Sequence, residues 1–261
     1  MRDLAELNQI NSKLESLFSG ENVIFESIKE FINSGSKRIR SILAILYLKS
    51  NNKKITDDII KLLAVGEIIH NASLLHDDIL DNSDKRRGKE TIGHKFSSQV
   101  SILAGDFLLS LGTKILLELN NKAILQNFTK CTEKMCRAEI SQHLLKGHIP
   151  SEDEYLNIIA GKTASLFEVI IQNVAILSES DENDAKIFGK NFGIVFQIKN
   201  DMEPESKAID KLNQTETALS IFGVEKTSDL IDNYKKELRE QIMNFPNKEY
   251  SKALEDLVNE L

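Results

Sequence analysis

The chain has 261 residues and a formal charge of −7, from 33 Lys plus Arg against 40 Asp plus Glu. Its 41% hydrophobic and 28% charged content is that of a globular protein with enough apolar material for a core. The acidic balance argues against a nucleic-acid binder, which carries a basic footprint. The two cysteines, Cys131 and Cys136, lack partners at zinc-like spacing and exclude a disulfide framework, so they read as reduced thiols of a cytoplasmic protein.

The longest unbroken apolar run, Ile42 to Leu48, is seven residues. A bilayer span takes roughly 20, so no transmembrane segment is expected. Met1 is followed by no apolar leader core, so secretion is not expected either. Pro150, Pro204 and Pro246 are the only prolines, which permits long helices. Asn51–Lys54 reads as a turn, and Thr56 as an N-cap with Asp57 and Asp58 in the first helical turn. From Ile59 to Leu80 apolar residues recur at steps of three and four, in a stripe too wide for a surface helix. The same period runs through Ile102–Leu119, Ile124–Leu145, Tyr155–Leu177, Ala185–Met202 and Leu230–Met243. No sustained alternating stretch competes with it. Asn120-Asn121, Gly147–Ser151 and Ser178–Asn183 break the pattern, and Ser151 with Glu154 forms a capping box. No composition shift divides the chain. It reads as one all-α domain over residues 1–261, a bundle of about ten helices.

The stretch from His70 to Gly88, HNASLLHDDILDNSDKRRG, carries the chemistry. Residues four and seven apart share a helix face, so His70, Asp77 and Asp81 line one stripe with Asp78 beside it. Asp84 extends the stripe only if the helix lasts that far. Carboxylates so close raise one another's pKa unless a cation neutralises them. Mg²⁺ suits carboxylate oxygens and shares its shell with substrate phosphates. Arg86 and Arg87 follow at once, and arginine matches phosphate oxygens with a two-pronged fork. Together these groups describe a diphosphate site. The bland alternative is a solvated acidic helix end, which the apolar helix before it disfavours.

The segment resembles the first aspartate-rich motif, DDxxD followed by RRG, of the all-trans polyprenyl diphosphate synthases. The likeness continues along the chain. Gly35–Arg40 is similar to GGKRxRP, with Ser36 and Ser41 as departures. Gly105–Leu109 is similar to GDxLL, and Glu139 with Gln142 to a central Glu-x-x-Gln. Lys162–Phe167 is similar to KTAxLF. Phe196–Asp201 stands where FQIxDD opens the second aspartate motif.

The resemblance implies an isoprenoid-synthase bundle around a central cavity, a homodimer, and an Mg²⁺-dependent reaction. In that reaction an allylic diphosphate ionises and isopentenyl diphosphate attacks its cation. Asp77, Asp78 and Asp81 would hold Mg²⁺ on the allylic diphosphate, with Asp201 as a further ligand. Arg86 would bind that diphosphate. Lys37, Arg40, His70 and Arg87 would bind isopentenyl diphosphate. Lys162, Thr163 and Gln197 would hold the leaving group and the nascent positive charge. The catalytic set is then Asp77, Asp78, Lys162 and Asp201. The structural alternatives are a core histidine at His70, a solvated loop at Lys37, Arg38 and Arg40, and an exposed helix lysine at Lys162. Glu139, Gln142 and His76 read as supporting residues.

The second motif departs from the family. Asn200 replaces its first Asp and Pro204 its last, and Pro204 disfavours helical geometry at Glu203. Glu203 or Glu205 would be substitutes. Thr217–Gly223 resembles TYPxLLG, but Thr215 stands where a lysine precedes it. Two other readings follow: a class I terpene cyclase, and a catalytically weak or regulatory subunit of a prenyl synthase heteromer. Ala72 and Ser73, just before Asp77, are small, so an apolar tunnel floored by Ile69, Val65 or Phe107 predicts a product of more than four isoprene units. Ala72→Phe is expected to shorten it.

Overall fold

The computed structural model describes residues 4–18, 23–34, 36–203 and 216–261. Gly35, Pro204, Glu205 and Thr215, each weighed in the sequence, lie outside the described residues. The described residues are helical nearly throughout: α1 (Ala5–Ser16), α2 (Val23–Asn33), α3 (Ile39–Ser50), α4 (Asp57–Leu80), α5 (Ile92–Lys95), α6 (Ser98–Glu118), α7 (Lys122–Leu144), α8 (Glu152–Ile159), a π-helical turn (Ala160–Ala164), α9 (Ser165–Leu177), α10 (Glu182–Met202), α11 (Ala218–Met243) and α12 (Lys248–Glu260). Between α4 and α5 lies one antiparallel pair, β1 (Lys85–Arg86) and β2 (Lys89–Glu90). The all-α expectation therefore holds.

The punctuation follows the sequence. The Thr56 side chain accepts from the Ile59 N–H at 3.3 Å, and Ser151 with Glu154 completes its capping box. Asn52 and Asn120 both take positive φ at the breaks where they were expected. The α10 helix ends at Met202, and Glu203 is extended with ψ 140°, as a following proline requires.

The residues cluster into two units, Met1–Ile45 with Ile55–Leu125, and Leu46–Lys54 with Gln126–Leu261. In the first, α4 packs on α6 and α1. Gly105 of α6 leaves room for the His76 ring, which an added Cβ would overlap, and the Ser101 hydroxyl donates to the Leu75 carbonyl at 3.0 Å. His76 is thus the supporting residue its position implied. In the second unit α10 packs on α9 and the π turn. A Cβ on Gly193 would lie 2.5 Å from the Ala164 Cα, so only glycine permits this approach. Tyr155, Ile159, Ile194, Val195, Ile198 and Ala218 form a buried cluster there.

One expectation is corrected. Three stretches, Asp57–Leu80, Ser98–Glu118 and Glu152–Leu177, are long and apolar enough to cross a membrane by length and composition. The longest unbroken run misses them because isolated residues such as Lys61, Glu67 and His70 interrupt it without lowering the mean hydropathy much. In the first and third, 72% of the apolar 18-residue window is buried within the protein, against 39% in Ser98–Glu118. Ile102, Leu103 and Leu117 of α6 stand exposed.

Candidate active site

In the first unit the acidic motif sits on the end of α4. Asp77 and Asp78 occupy its last turn and Asp81 is its C-cap. No basic residue shares that turn. Carboxylates at a helix C-terminus oppose the helix dipole, so the end lacks a counter-charge of its own. Asp78 is 1% exposed. Its Oδ1 accepts from Arg86 Nε at 2.6 Å, while Oδ2 has no hydrogen-bond partner among the described residues. Burial pushes the Asp78 carboxyl up and Arg86 opposes the shift. Asp84 falls beyond the helix and instead faces His94 Nδ1 at 3.1 Å.

The basic pair is presented by a hairpin. Arg86 pairs with Lys89, and the two loop residues, Arg87 (φ 52°) and Gly88 (φ 78°), both take the left-handed region. That is the geometry of a type I′ turn, which explains the glycine after the two arginines. Arg87 Nη1 donates to the Ser34 carbonyl at 2.7 Å. The loop before α3 is not solvated as a whole. Lys37 is exposed, but Arg38 and Arg40 are buried. Arg38 pairs with the buried Glu67 at 3.0 Å and also reaches Asn11 and Asn33, so it ties α3 to α4. The histidine alternative also resolves. Burial, then the charges of Arg40, Arg87, Arg86 and Arg38, push the His70 pKa well below the usual histidine range. Four guanidinium groups therefore bear on one neutral imidazole.

In the second unit Lys162 lies on the π turn, a device frequent at functional sites. It is no free helix lysine. Its Nζ pairs with Glu139 at 2.7 Å and donates to Gln142 Oε1 at 2.8 Å. Thr163 Oγ1 donates to Gln197 Oε1 at 2.7 Å, and Gln197 Nε2 donates to Asp201 Oδ1 at 2.7 Å. Tyr155 OH donates to Asp201 Oδ2 at 2.5 Å. Burial raises the Asp201 carboxyl, and the bonds from Tyr155 and Gln197 partly offset that. A pocket of about 110 Å³ opens here, lined by Lys162, Thr163, Gln197, Asp201, Tyr155 and His148 among others.

The expected residues thus fall into two groups. Lys37, Arg40, His70, Asp77, Asp78, Asp81, Arg86 and Arg87 belong to the first unit; Lys162, Thr163, Gln197 and Asp201 belong to the second. Sequence reasoning missed Tyr155, whose hydroxyl gives no sign in a helical apolar pattern. It also set Glu139 and Gln142 aside, although both hold Lys162.

The donor chemistry at α4 fits a hard cation: all-oxygen ligands and an orphaned buried oxygen on Asp78, whose other oxygen Arg86 holds. No three metal-ligating side chains gather at one point among the described residues. Mg²⁺ needs only one or two carboxylates when phosphate and water complete its shell.

The family model described as "Polyprenyl synthetase" matches residues 21–249. All-trans-nonaprenyl-diphosphate synthase (geranyl-diphosphate specific) of Rhodobacter capsulatus is 32% identical over 217 residues, covering 82% of this chain and 66% of that protein. Octaprenyl diphosphate synthase of Haemophilus influenzae is 34% identical over 205 residues, covering 77% and 61%. The chain spans between 54% and 66% of three such curated relatives. Among solved structures, heptaprenyl diphosphate synthase from Staphylococcus aureus superposes with a TM-score of 0.89 at 24% identity, over 98% of this chain and 96% of that one. Geranyltranstransferase from Thermotoga maritima gives 0.86 at 23%, over 98% of both. The acidic end of α4, its arginine hairpin and the lysine on the π turn thus sit in an isoprenoid-synthase fold, and the chain belongs to the polyprenyl synthetase family.

Proposed function

We propose that the chain is a trans-prenyltransferase. It condenses isopentenyl diphosphate with an allylic diphosphate of the farnesyl or geranyl type, giving a longer all-trans polyprenyl diphosphate. Residues 1–261 would act as one polyprenyl synthase domain, as a cytoplasmic homodimer, with the exposed apolar residues of α6 suited to a second copy. The observation that carries the reading is the arginine field at the end of α4, where the hairpin presents Arg86 and Arg87 and Arg86 Nε lies 2.6 Å from the buried Asp78. A diphosphate is the ligand that such a field fits.

Asp77, Asp78 and Asp81 would hold Mg²⁺, which supplies positive charge to a departing diphosphate. Arg86 keeps Asp78 in place and offers its remaining donors to the allylic diphosphate. Lys37, Arg40, His70 and Arg87 hold isopentenyl diphosphate. Arg38, committed to Glu67, braces them. Lys162, Thr163 and Gln197 stabilise the leaving group and the cation it leaves behind. The leaving diphosphate takes the last proton, so no dedicated base is required. Ala72 and Val65 are fully buried, and the Phe107 ring lies tilted against Phe25 with centroids 5.1 Å apart. Small residues before Asp77 suit a product of more than four isoprene units, the class named for the nonaprenyl and octaprenyl relatives.

The test incubates purified protein with labelled isopentenyl diphosphate, farnesyl diphosphate and Mg²⁺, and resolves products by length. Long product, lost in Asp77→Ala, is the expected result. Absence of product from folded protein that still binds inorganic diphosphate would sink the reading and leave the regulatory-subunit alternative.

A further inference from the structure

The second aspartate motif of this chain does not offer a metal what the first one offers. Asn200 stands in its first place and brings no charge. Asp201 is 7% exposed, and both its oxygens are taken by protein donors, Gln197 on one side and Tyr155 on the other. Glu203 has left the helix in an extended conformation and is exposed. Each Asp201 oxygen already accepts one buried hydrogen bond, Oδ1 from the Gln197 amide and Oδ2 from the Tyr155 phenol, so a cation there would compete with the bonds that fix this carboxylate, and Asn200 adds no second charge to hold it.

The same bonds do something else. The Gln197 amide has two faces, and the carboxylate of Asp201 fixes its NH₂ on the far side. Its Oε1 is then turned to accept from Thr163, beside Lys162 on the π turn. We infer that Tyr155 and Asp201 are positioning residues: the pair sets the orientation of Gln197 and Thr163 toward substrate, and Asp201 ligates no metal. The inference rests on the prenyltransferase reading for its substrate but departs from that reading's resemblance-based ligand set, which includes Asp201.

The experiment compares wild type with Asp201→Asn, Tyr155→Phe and Asp81→Asn. Bound Mn²⁺ is counted by electron paramagnetic resonance in the presence of inorganic diphosphate. Turnover is followed against Mg²⁺ and against each substrate. A positioning pair predicts that Asp201→Asn binds as many Mn²⁺ ions as wild type, while Asp81→Asn binds fewer. Tyr155→Phe and Asp201→Asn each lower turnover about tenfold, the size expected for one lost hydrogen bond to a charged group. The double variant loses no more than either single one, because both act through Gln197. The Mg²⁺ concentration for half-maximal rate and the KM for isopentenyl diphosphate stay put. Loss of one Mn²⁺ in Asp201→Asn overturns the inference, as does wild-type turnover in Tyr155→Phe. If Asp201→Asn does not fold, Tyr155→Phe carries the test, since it frees a carboxylate oxygen and a ligating Asp201 would leave its rate unharmed. A wild type without product refutes the proposed function alone, and the Mn²⁺ count still decides between ligation and positioning.

Discussion

At the C-terminal end of α4 three carboxylates crowd a helix end that has no base of its own, and one buried oxygen of Asp78 is left without a partner among the described residues. At the C-terminal end of α10 Asp201 lies in the last turn with Lys199 and has both oxygens bonded within the protein, and the C-cap Glu203 is exposed. Both ends work against the helix dipole. The first leaves one buried oxygen of Asp78 open while Arg86 holds the other; the second bonds both oxygens of Asp201 within the protein, to a phenol and an amide. A DDxxD-like string therefore does not carry one meaning wherever it stands. What matters is whether neighbouring donors have already consumed the oxygens.

The largest effect that would break this comparison lies at Asp78. Asp78→Asn removes the charge that holds Arg86 and the oxygen left open for a cation. It is expected to lower turnover by about a hundredfold or more, since fixed charges at a leaving group commonly contribute that much. Steady-state rates at saturating Mg²⁺ measure it. A loss no greater than that of Asp201→Asn would mean that the two helix ends are equivalent after all.

The packing beneath the two sites gives a second, smaller contrast. Gly193→Ala drives a Cβ into the Ala164 backbone, where nothing flexible can yield. The expected cost is about 3 kcal/mol. Gly112→Ala in α6 meets Ile68 at an ordinary 3.5 Å, so it is expected to range from neutral to a gain of about 1 kcal/mol from helix propensity. Urea unfolding of both variants, together with wild type, checks the pair. Equal destabilisation would show that α4 and α6 are as tightly apposed as α10 and the π turn.

The helices and their caps were legible because they rest on local rules: period, N-cap chemistry and proline. Thr56, Ser151 and the end of α10 at Met202 all follow from residues a few positions away. The two-residue strands were not legible, for they are too short to show alternation, although Arg87-Gly88 is the turn that makes them. The bracing role of Arg38 was not legible because its partner, Glu67, is 29 residues away. Tyr155 was missed for the same reason, with Asp201 46 residues away. Which charged residues are consumed by structure is a question of long-range pairing, and a motif string is silent on it.

The smallest expected effect concerns His70 and pH. The unfolded chain titrates a histidine near 6.5, whereas in the folded protein burial and the four arginines hold His70 well below that. Above pH 6.5 both states are neutral and the contribution is fully present. As pH falls below 6.5 the unfolded chain takes a proton that the folded one refuses, so stability is lost, at up to about 1.4 kcal/mol per pH unit. Asp78 and Asp201, with raised values, act in the opposite sense at lower pH and must be subtracted. Urea unfolding of wild type and His70→Gln between pH 7.5 and 5.5 isolates the term: wild type should lose more stability than the variant. Inorganic diphosphate should reverse the cause, because an anion among the arginines cancels their charge and lets the imidazole protonate. In proton NMR the His70 signal, assigned by its absence in His70→Gln, should then titrate at higher pH than in the free protein. A His70 that titrates near 6.5 without diphosphate would remove the positive field on which the first site's assignment depends.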